Sequence, residues 1–218
     1  MPRVTANGLE LEYETFGDPT DPPLVLVMGL SAQMITWPEG FCNLLAEQGY
    51  HVIRFDNRDI GLSTYLDDLP PTDLAAVMGG DFATAPYRIS DFAEDTVGLL
   101  DGLGIRKAHI VGASMGGMIA QQVAIDHQDR VLSLCSIMST TGDRSVGQGT
   151  QEALAMLLRP AAKNRDEAIE GGVMASRVIG SPGYPASEEE LRAKSAAAYD
   201  RAFHPAGSLR QTAAVLAS

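Results

Sequence analysis

The sequence is short of cysteine and contains no long hydrophobic run. Only Cys42 and Cys135 occur among its 218 residues, and both lie in apolar segments, so small buried side chains are expected rather than a disulfide. No apolar run approaches the roughly 18 residues that cross a bilayer, and the N-terminal segment has no charged-then-apolar secretion signal. We therefore expect a cytoplasmic protein.

Basic residues are also scarce. Lysine and arginine together number 16 against 28 acidic residues, which gives a formal net charge of -12. This charge repels a phosphate backbone, and the sequence lacks the basic stripe that nucleic-acid binding needs. Neither nucleic acid nor a membrane surface is therefore an expected partner. The four histidines show no metal-ligand spacing, and we expect no metal and no cofactor.

Short apolar strands alternate with helical segments over the first two thirds of the chain. This alternation is typical of an α/β fold in which helices cover a mostly parallel sheet. A loop is predicted over residues 64–89, which are rich in Pro, Gly and Asp. The predicted strands are 9–15, 24–28, 51–55, 108–111 and 131–138, and the predicted helices are 38–48, 90–103 and 114–126.

The alternation stops after about Ser139, where the sequence becomes alanine-rich and helical. We therefore divide the chain into an α/β core, residues 1–140, and a helical cap subdomain, residues 141–218. The predicted cap helices are 150–158, 165–178, 187–203 and 207–217.

The sequence VGASMGG, residues 111–117, follows an apolar strand and opens a helix. Its Gly-x-Ser-x-Gly pattern permits a sharp turn with Ser114 exposed at the apex, where a neighbouring base can make the hydroxyl a nucleophile. The N–H of Met115, at the helix start, can donate to an oxyanion. A dinucleotide-binding turn would need glycine in place of Ser114, and a P-loop would end in Gly-Lys-Ser/Thr. The alternative is a glycine-rich helix start with an incidental serine.

Three stretches, the last of which contains this turn, resemble the α/β-hydrolase superfamily. They are LVLVMGLSAQMITWP, VIRFDNRDIGLST and DTVGLLDGLGIRKAHIVGASMGGMIAQQVAIDHQDRVLSL, and the resemblance covers residues 8–140. Within the superfamily, Met-Gly at 28–29, Trp-Pro at 37–38 and Asp-Asn-Arg-Asp at 56–59 are most similar to the aclacinomycin methylesterase group. The resemblance implies an α/β-hydrolase fold with a helical cap and the activity of a serine hydrolase.

The resemblance also implies roles for individual positions. Ser114 takes the place of the nucleophile, and Leu30 and Met115 take the places of the two backbone oxyanion donors. Trp37 either binds substrate or anchors the following helix. The motif after the strand 51–55 is expected to brace its loop rather than to catalyse, since its Asp–Arg spacing suits a local salt bridge; its residues are Asp56, Arg58, Asp59 and Ser63.

A catalytic acid and a histidine base are not found where the resemblance places them, after the cap. His51, His109 and His127 are expected far from Ser114 or at the opposite edge of the sheet. His204, in the cap, is the only histidine that could overhang Ser114, but an exposed histidine beside a proline is the commoner case. We therefore expect a complementary C-terminal polypeptide segment to supply both groups. Without it, the edge and faces of the strand 131–138 would be uncovered.

Together these features imply an enzyme that cleaves a carboxylic ester through an acyl-enzyme on Ser114, with residues 1–218 alone inactive. The most specific substrate implied is a methyl ester of an aromatic polyketide-like compound. The same architecture also supports lactonases, C–C hydrolases and haloperoxidases. A non-catalytic protein that binds a small molecule in the same pocket is the alternative from a different class.

Overall fold

A six-stranded mixed sheet forms the centre of the protein in a computed structural model that describes residues 2–143, 145–147 and 149–218. The strands are β1 (Arg3–Ala6), β2 (Leu9–Phe16), β3 (Pro23–Val27), β4 (His51–Phe55), β5 (Ala108–Ala113) and β6 (Val131–Ile137). The strand order is β1-β2-β4-β3-β5-β6; β2 pairs antiparallel with β1 and β4, and the other neighbours pair parallel. The predicted α/β architecture is confirmed, and β1 is a strand that the sequence pattern did not reveal.

The helices follow the predicted ones closely, with one exception. The segment 64–89, predicted as a loop, contains a short α-helix at Leu74–Met78 and a 3₁₀ helix at Phe82–Thr84, because Asp73 and Asp81 act as N-caps for these two elements. The α-helices in the described ranges are α1 (Glu39–Glu47), α2 (Leu74–Met78), α3 (Ile89–Gly102), α4 (Met115–Asp126), α5 (Gln151–Leu157), α6 (Arg165–Ile179), α7 (Glu188–Arg201) and α8 (Pro205–Leu216).

Apolar side chains fill the space on both faces of the sheet. One cluster joins α3 and α4 to the strands and includes Phe92, Leu100 and Ile119. A second cluster, which includes Leu26 and Cys42, packs α1 against the sheet. Each large apolar side chain buried in this way contributes roughly 1.5–3 kcal/mol, so these layers fix the positions of the strand ends.

The edge strand β6 departs from this pattern. Six of its seven residues are exposed, including Leu134 at 41% and Ile137 at 42%. Among the described residues, β6 pairs with β5 alone, and the open edge and exposed faces expected for this strand are found there. The prediction of two buried cysteines was half wrong: Cys42 is buried, but Cys135 is exposed because it lies on β6.

The last helix, α8, packs against the core. Ala213 and Ala214 are fully buried, Ala213 against Val77 and Ala85, and Ala214 within the main core cluster. The division of the chain at residue 140 remains a prediction, but α8 links the predicted cap directly to the α/β layer.

The first turn of α4 lies directly against the end of β3. A Cβ atom added at Gly116 would overlap the carbonyl oxygen of Val27 and would lie 2.9 Å from that of Met28. Both obstacles are backbone atoms, which cannot rotate away. Only glycine at position 116 allows this approach.

We expect Gly116→Ala to lower the free energy of unfolding by at least ~2 kcal/mol, because overpacking against fixed atoms forces the backbone apart. Urea denaturation followed by circular dichroism measures the change. The matched control is Gly40→Ala, where an added Cβ meets no atom within 4 Å and alanine should stabilise α1 slightly. A Gly116→Ala protein as stable as the unmodified protein would contradict this packing requirement.

Candidate active site

Ser114 occupies the sharp turn between β5 and α4. Its backbone has φ 56° and ψ -121°, an unusual conformation for a residue with a side chain that costs of order 1–3 kcal/mol. The turn is held by the N–H of Ser114, which donates to the carbonyl of Ile137 at 2.9 Å, and by close packing in which a Cβ at Gly112 would overlap the carbonyl of Gly116. The structure therefore places Ser114 at the apex of a constrained turn.

The loop after β3 runs beside this apex. A Cβ added at Gly29 would lie 3.0 Å from the carbonyl oxygen of Ala113 and 3.5 Å from Ser114 Oγ. The N–H of Leu30, the next residue, donates to no acceptor in the described part of the chain. The N–H of Met115 is the first of α4, a position with no acceptor inside the helix. The structure thus brings Ser114, Leu30 and Met115 together with two donors available.

Ser114 Oγ forms no hydrogen bond with any residue that the structure describes. The histidines are engaged elsewhere: His109 with Ser133 at 2.8 Å, His127 with Glu94 at 2.7 Å, and His204 with Asp67 at 3.1 Å, while His51 opens β4. His204 also stacks on Tyr65, with ring centroids 3.8 Å apart. Within the described ranges, no histidine forms a hydrogen bond with Ser114 Oγ.

Trp37 is 8% exposed and lies in the second apolar cluster together with Cys42 and Ala113. Its ring stacks on Phe41 of α1, with centroids 5.7 Å apart, and its carbonyl accepts a hydrogen bond from Arg54. These contacts support an anchor for α1. Its predicted role in substrate binding remains a prediction.

The motif after β4 is bound by long-range ion pairs. Arg58 forms two hydrogen bonds of 2.6 Å with Asp95 of α3. The hydroxyl of Ser63 donates to the carbonyl of Asp56 and accepts from the N–H of Glu12. The bracing role expected for this motif agrees with these contacts. The expected local Asp–Arg salt bridge was wrong, because each charged side chain has its partner on a distant helix.

Asp56 joins the loop after β3 to the end of α7. Its fully buried carboxylate accepts from the N–H groups of Met34 and Leu62 at 2.7 and 2.9 Å, and lies 2.7 Å from Arg201 Nη1. Burial raises the pKa of the Asp56 carboxyl above its ordinary value, although Arg201 and the two N–H groups act in the opposite direction. The carboxylate therefore depends on these partners to stay charged.

Asp59 joins the same motif to α8. Arg210 contacts both oxygens of its buried carboxylate, at 2.6 and 2.9 Å, and the hydroxyl of Tyr87 donates to it at 2.7 Å. Burial raises the pKa of Asp59, but the donors from Arg210, Leu66 and Tyr87 outweigh it, so that pKa lies below its ordinary value. Sequence reasoning did not identify Arg201 and Arg210 as site residues, because each lies about 150 residues after its aspartate and only its charge marks it.

A cavity of about 870 Å³ lies between the cap helices and the core. Leu30 and Ser31 line it on the core side, whereas Ser114 and Trp37 are not among its lining residues. Its volume falls in the range of small-molecule pockets. Most of the wall is apolar and includes Ile60, Met156, Tyr199, Phe203 and Leu209.

The residues that the structure describes contain no group of three or more His, Cys, Asp and Glu side chains arranged to hold a metal ion. None of their helices has both the length and the hydrophobicity of a membrane span.

Two methylesterases from Streptomyces are similar to this chain. Rhodomycin D methylesterase DnrP of Streptomyces peucetius is 31% identical, and rhodomycin D methylesterase DauP of Streptomyces sp. (strain C5) is 30% identical, each across 87% of this chain. The chain spans 65% of the length of both relatives. The predicted likeness to methylesterases is confirmed by these relatives.

Solved structures share the fold at lower identity. The 2-hydroxy-6-oxo-6-phenylhexa-2,4-dienoate hydrolase of Rhodococcus sp. strain RHA1 has a TM-score of 0.72 at 22% identity, over 99% of this chain and 70% of that one. The enol-lactonase of Burkholderia xenovorans LB400 has a TM-score of 0.67 at 21% identity, over 100% and 74%. The family model for the α/β hydrolase fold matches residues 22–173. The chain therefore belongs to the α/β-hydrolase family.

Proposed function

We propose that the protein is a serine hydrolase that cleaves a carboxylic ester. Ser114 Oγ attacks the carbonyl carbon as its proton passes to a base, and the N–H groups of Leu30 and Met115 stabilise the oxyanion of the tetrahedral intermediate. The alcohol then leaves, and water hydrolyses the acyl-enzyme to release the acid and free Ser114. The observation that carries the proposal is how close the loop of Gly29 and Leu30 lies to Ser114. A Cβ atom added at Gly29 would be 3.5 Å from Ser114 Oγ.

We propose further that a complementary polypeptide segment, docked on β6, supplies the catalytic acid and histidine. The end of β6 borders the site, since the carbonyl of Ile137 accepts from the N–H of Ser114. A strand added parallel to β6 would end at the same edge of the sheet, where ligands bind in open α/β folds. Exposed apolar residues on β6, including Leu132 and Leu134, provide a surface for it. The greater length of the two methylesterases is consistent with such a segment.

For the substrate, we propose a methyl ester of an aromatic polyketide-like compound. The apolar cavity begins at Leu30 and can hold a polycyclic acyl group, while methanol is small enough to leave without a pocket of its own. The names of the two Streptomyces methylesterases agree with a methyl ester as the bond that is cleaved. An enol-lactonase of Acinetobacter baylyi, 28% identical over 72% of this chain, makes a lactone the second candidate.

We expect a fluorophosphonate probe to label Ser114 in a polypeptide that contains residues 1–218 and the complementary segment, hereafter the joined protein. The reason is that an activated serine attacks phosphorus as it attacks an ester carbonyl. Mass spectrometry of the labelled peptide checks the site, and Ser114→Ala should abolish both labelling and turnover. Ser176→Ala, a serine substitution within the cap helix α6, is the matched control and should keep both.

The absence of labelling in folded, joined protein would contradict the enzyme and favour a non-catalytic binding protein. That alternative keeps the cavity but does not use Ser114. Ligand binding measured by calorimetry with the Ser114→Ala protein would then show affinity equal to that of the unmodified protein, with no turnover in either.

We expect residues 1–218 alone to hydrolyse p-nitrophenyl acetate no faster than their Ser114→Ala variant, because no described histidine contacts Ser114 Oγ. Absorbance of released p-nitrophenol measures the rate. Ser114-dependent turnover that survives replacement of all four histidines by asparagine would show that another base is present in this chain.

We expect kcat/KM of the joined protein for an aromatic polyketide methyl ester to exceed that for an enol-lactone by at least about tenfold. This advantage requires only about 1.4 kcal/mol of additional transition-state stabilisation from apolar contacts in the cavity. Product formation followed by chromatography provides both rates. A higher value for the lactone would replace the proposed substrate class while leaving the role of Ser114 intact.

A further inference from the structure

The loop that carries Leu30 includes a second unusual backbone conformation. Ser31 has φ 60°, in the left-handed region that residues with a side chain seldom occupy without help from their surroundings. The N–H of Ser31 belongs to the peptide plane that immediately follows Leu30. Whatever holds this plane also restrains the backbone from which the Leu30 N–H projects.

Gln211 of α8 is the side chain that holds it. Its Oε1 accepts from the N–H of Ser31 at 2.9 Å, and its Nε2 donates to the carbonyl of Arg58 at 2.7 Å. Gln211 is fully buried; its bond to the carbonyl of Arg58 is buried, and its bond to the N–H of Ser31 is part-buried. A carboxamide suits this position because it offers an acceptor to one loop and a donor to the other.

The helix that carries Gln211 is itself fixed on the core. The neighbouring Arg210 pairs with Asp59 through two hydrogen bonds, and Ala214 is fully buried one turn further on. The second contact of Gln211, the backbone of Arg58, is also fixed, since the Arg58 side chain pairs with Asp95. Gln211 is therefore held both by α8 and by the segment after β4, and from this fixed position it binds the strained Ser31 peptide.

Other contacts from the cap reach the same loop farther from Leu30. Gln33 donates to the carbonyls of Ala198 and Ala202 and accepts from Arg201. These bonds secure the loop three residues after Leu30, whereas Gln211 acts on the adjacent residue.

We propose that Gln211 is a positioning residue for the oxyanion hole, which holds the Ser31 peptide so that the Leu30 N–H stays directed at the developing oxyanion. The inference rests on the proposed hydrolase function for its chemical consequence. It gives α8 a part in the reaction although, in the described part of the chain, no residue of α8 forms a hydrogen bond with Ser114.

The test compares Gln211→Met, which keeps the volume of the side chain but removes both hydrogen bonds, with Ala214→Gly. Ala214→Gly weakens α8 through helix propensity and leaves the Gln211 contacts in place. In the joined protein, we expect Gln211→Met to lower kcat about tenfold or more, with KM changed less than twofold. Removal of an oxyanion donor costs 10²–10³ in kcat, and a displaced donor loses part of this. Ala214→Gly should keep kcat within twofold.

A second readout does not depend on turnover. Amide hydrogen exchange of Ser31, followed by NMR in the joined protein, should be roughly tenfold faster in Gln211→Met than in Ala214→Gly, as expected for the loss of one hydrogen bond. Unchanged exchange at Ser31, or an unchanged kcat in an active enzyme, overturns the positioning role. An unmodified protein that neither hydrolyses esters nor reacts with the fluorophosphonate refutes the hydrolase function instead, and faster Ser31 exchange then identifies Gln211 as a structural clamp only.

Discussion

Three buried ion pairs hold the site together, and all three begin in the four residues after β4. Asp56, Arg58 and Asp59 reach α7, α3 and α8, respectively. Removing charges from water costs several kcal/mol for each ion, and deleting one partner of a buried pair typically costs 3–5 kcal/mol, because the other charge is left uncompensated. One short segment thus fixes the relative positions of the sheet, the core helix and the cap.

Two strained residues of the site lie on either side of this segment, and Asp59 within it also has a positive φ, 66°. Ser114 and Ser31 both have positive φ, one in the turn before α4 and the other in the loop after β3. Such conformations persist where the surrounding structure determines them from several directions. At Ser114 this support is local and comes from glycine packing and the end of β6, whereas at Ser31 it comes from α8.

This difference explains how much could be predicted from the sequence. The turn at Ser114 depends on neighbouring residues and on a strand followed by a helix, so the pattern VGASMGG predicts it. The strands β2 to β6 were also predicted, because their apolar runs are local features of the sequence. The partners of Asp56 and Asp59 were not predictable, because an arginine some 150 residues away carries no mark of its partner. β1 was missed because four residues of mixed polarity give little periodicity. Cys135 was misjudged because an apolar strand was assumed to be covered on both faces.

The open edge of β6 also bears on how copies of this chain behave in solution. An exposed strand with unpaired backbone groups is a template for pairing with another chain, and its apolar side chains add to that tendency. The net charge of -12 acts against it, since every copy repels every other at long range. Because salt shortens the reach of that repulsion to about 8 Å at physiological ionic strength, the same acidic surface protects the chain well in dilute buffer and poorly in concentrated salt.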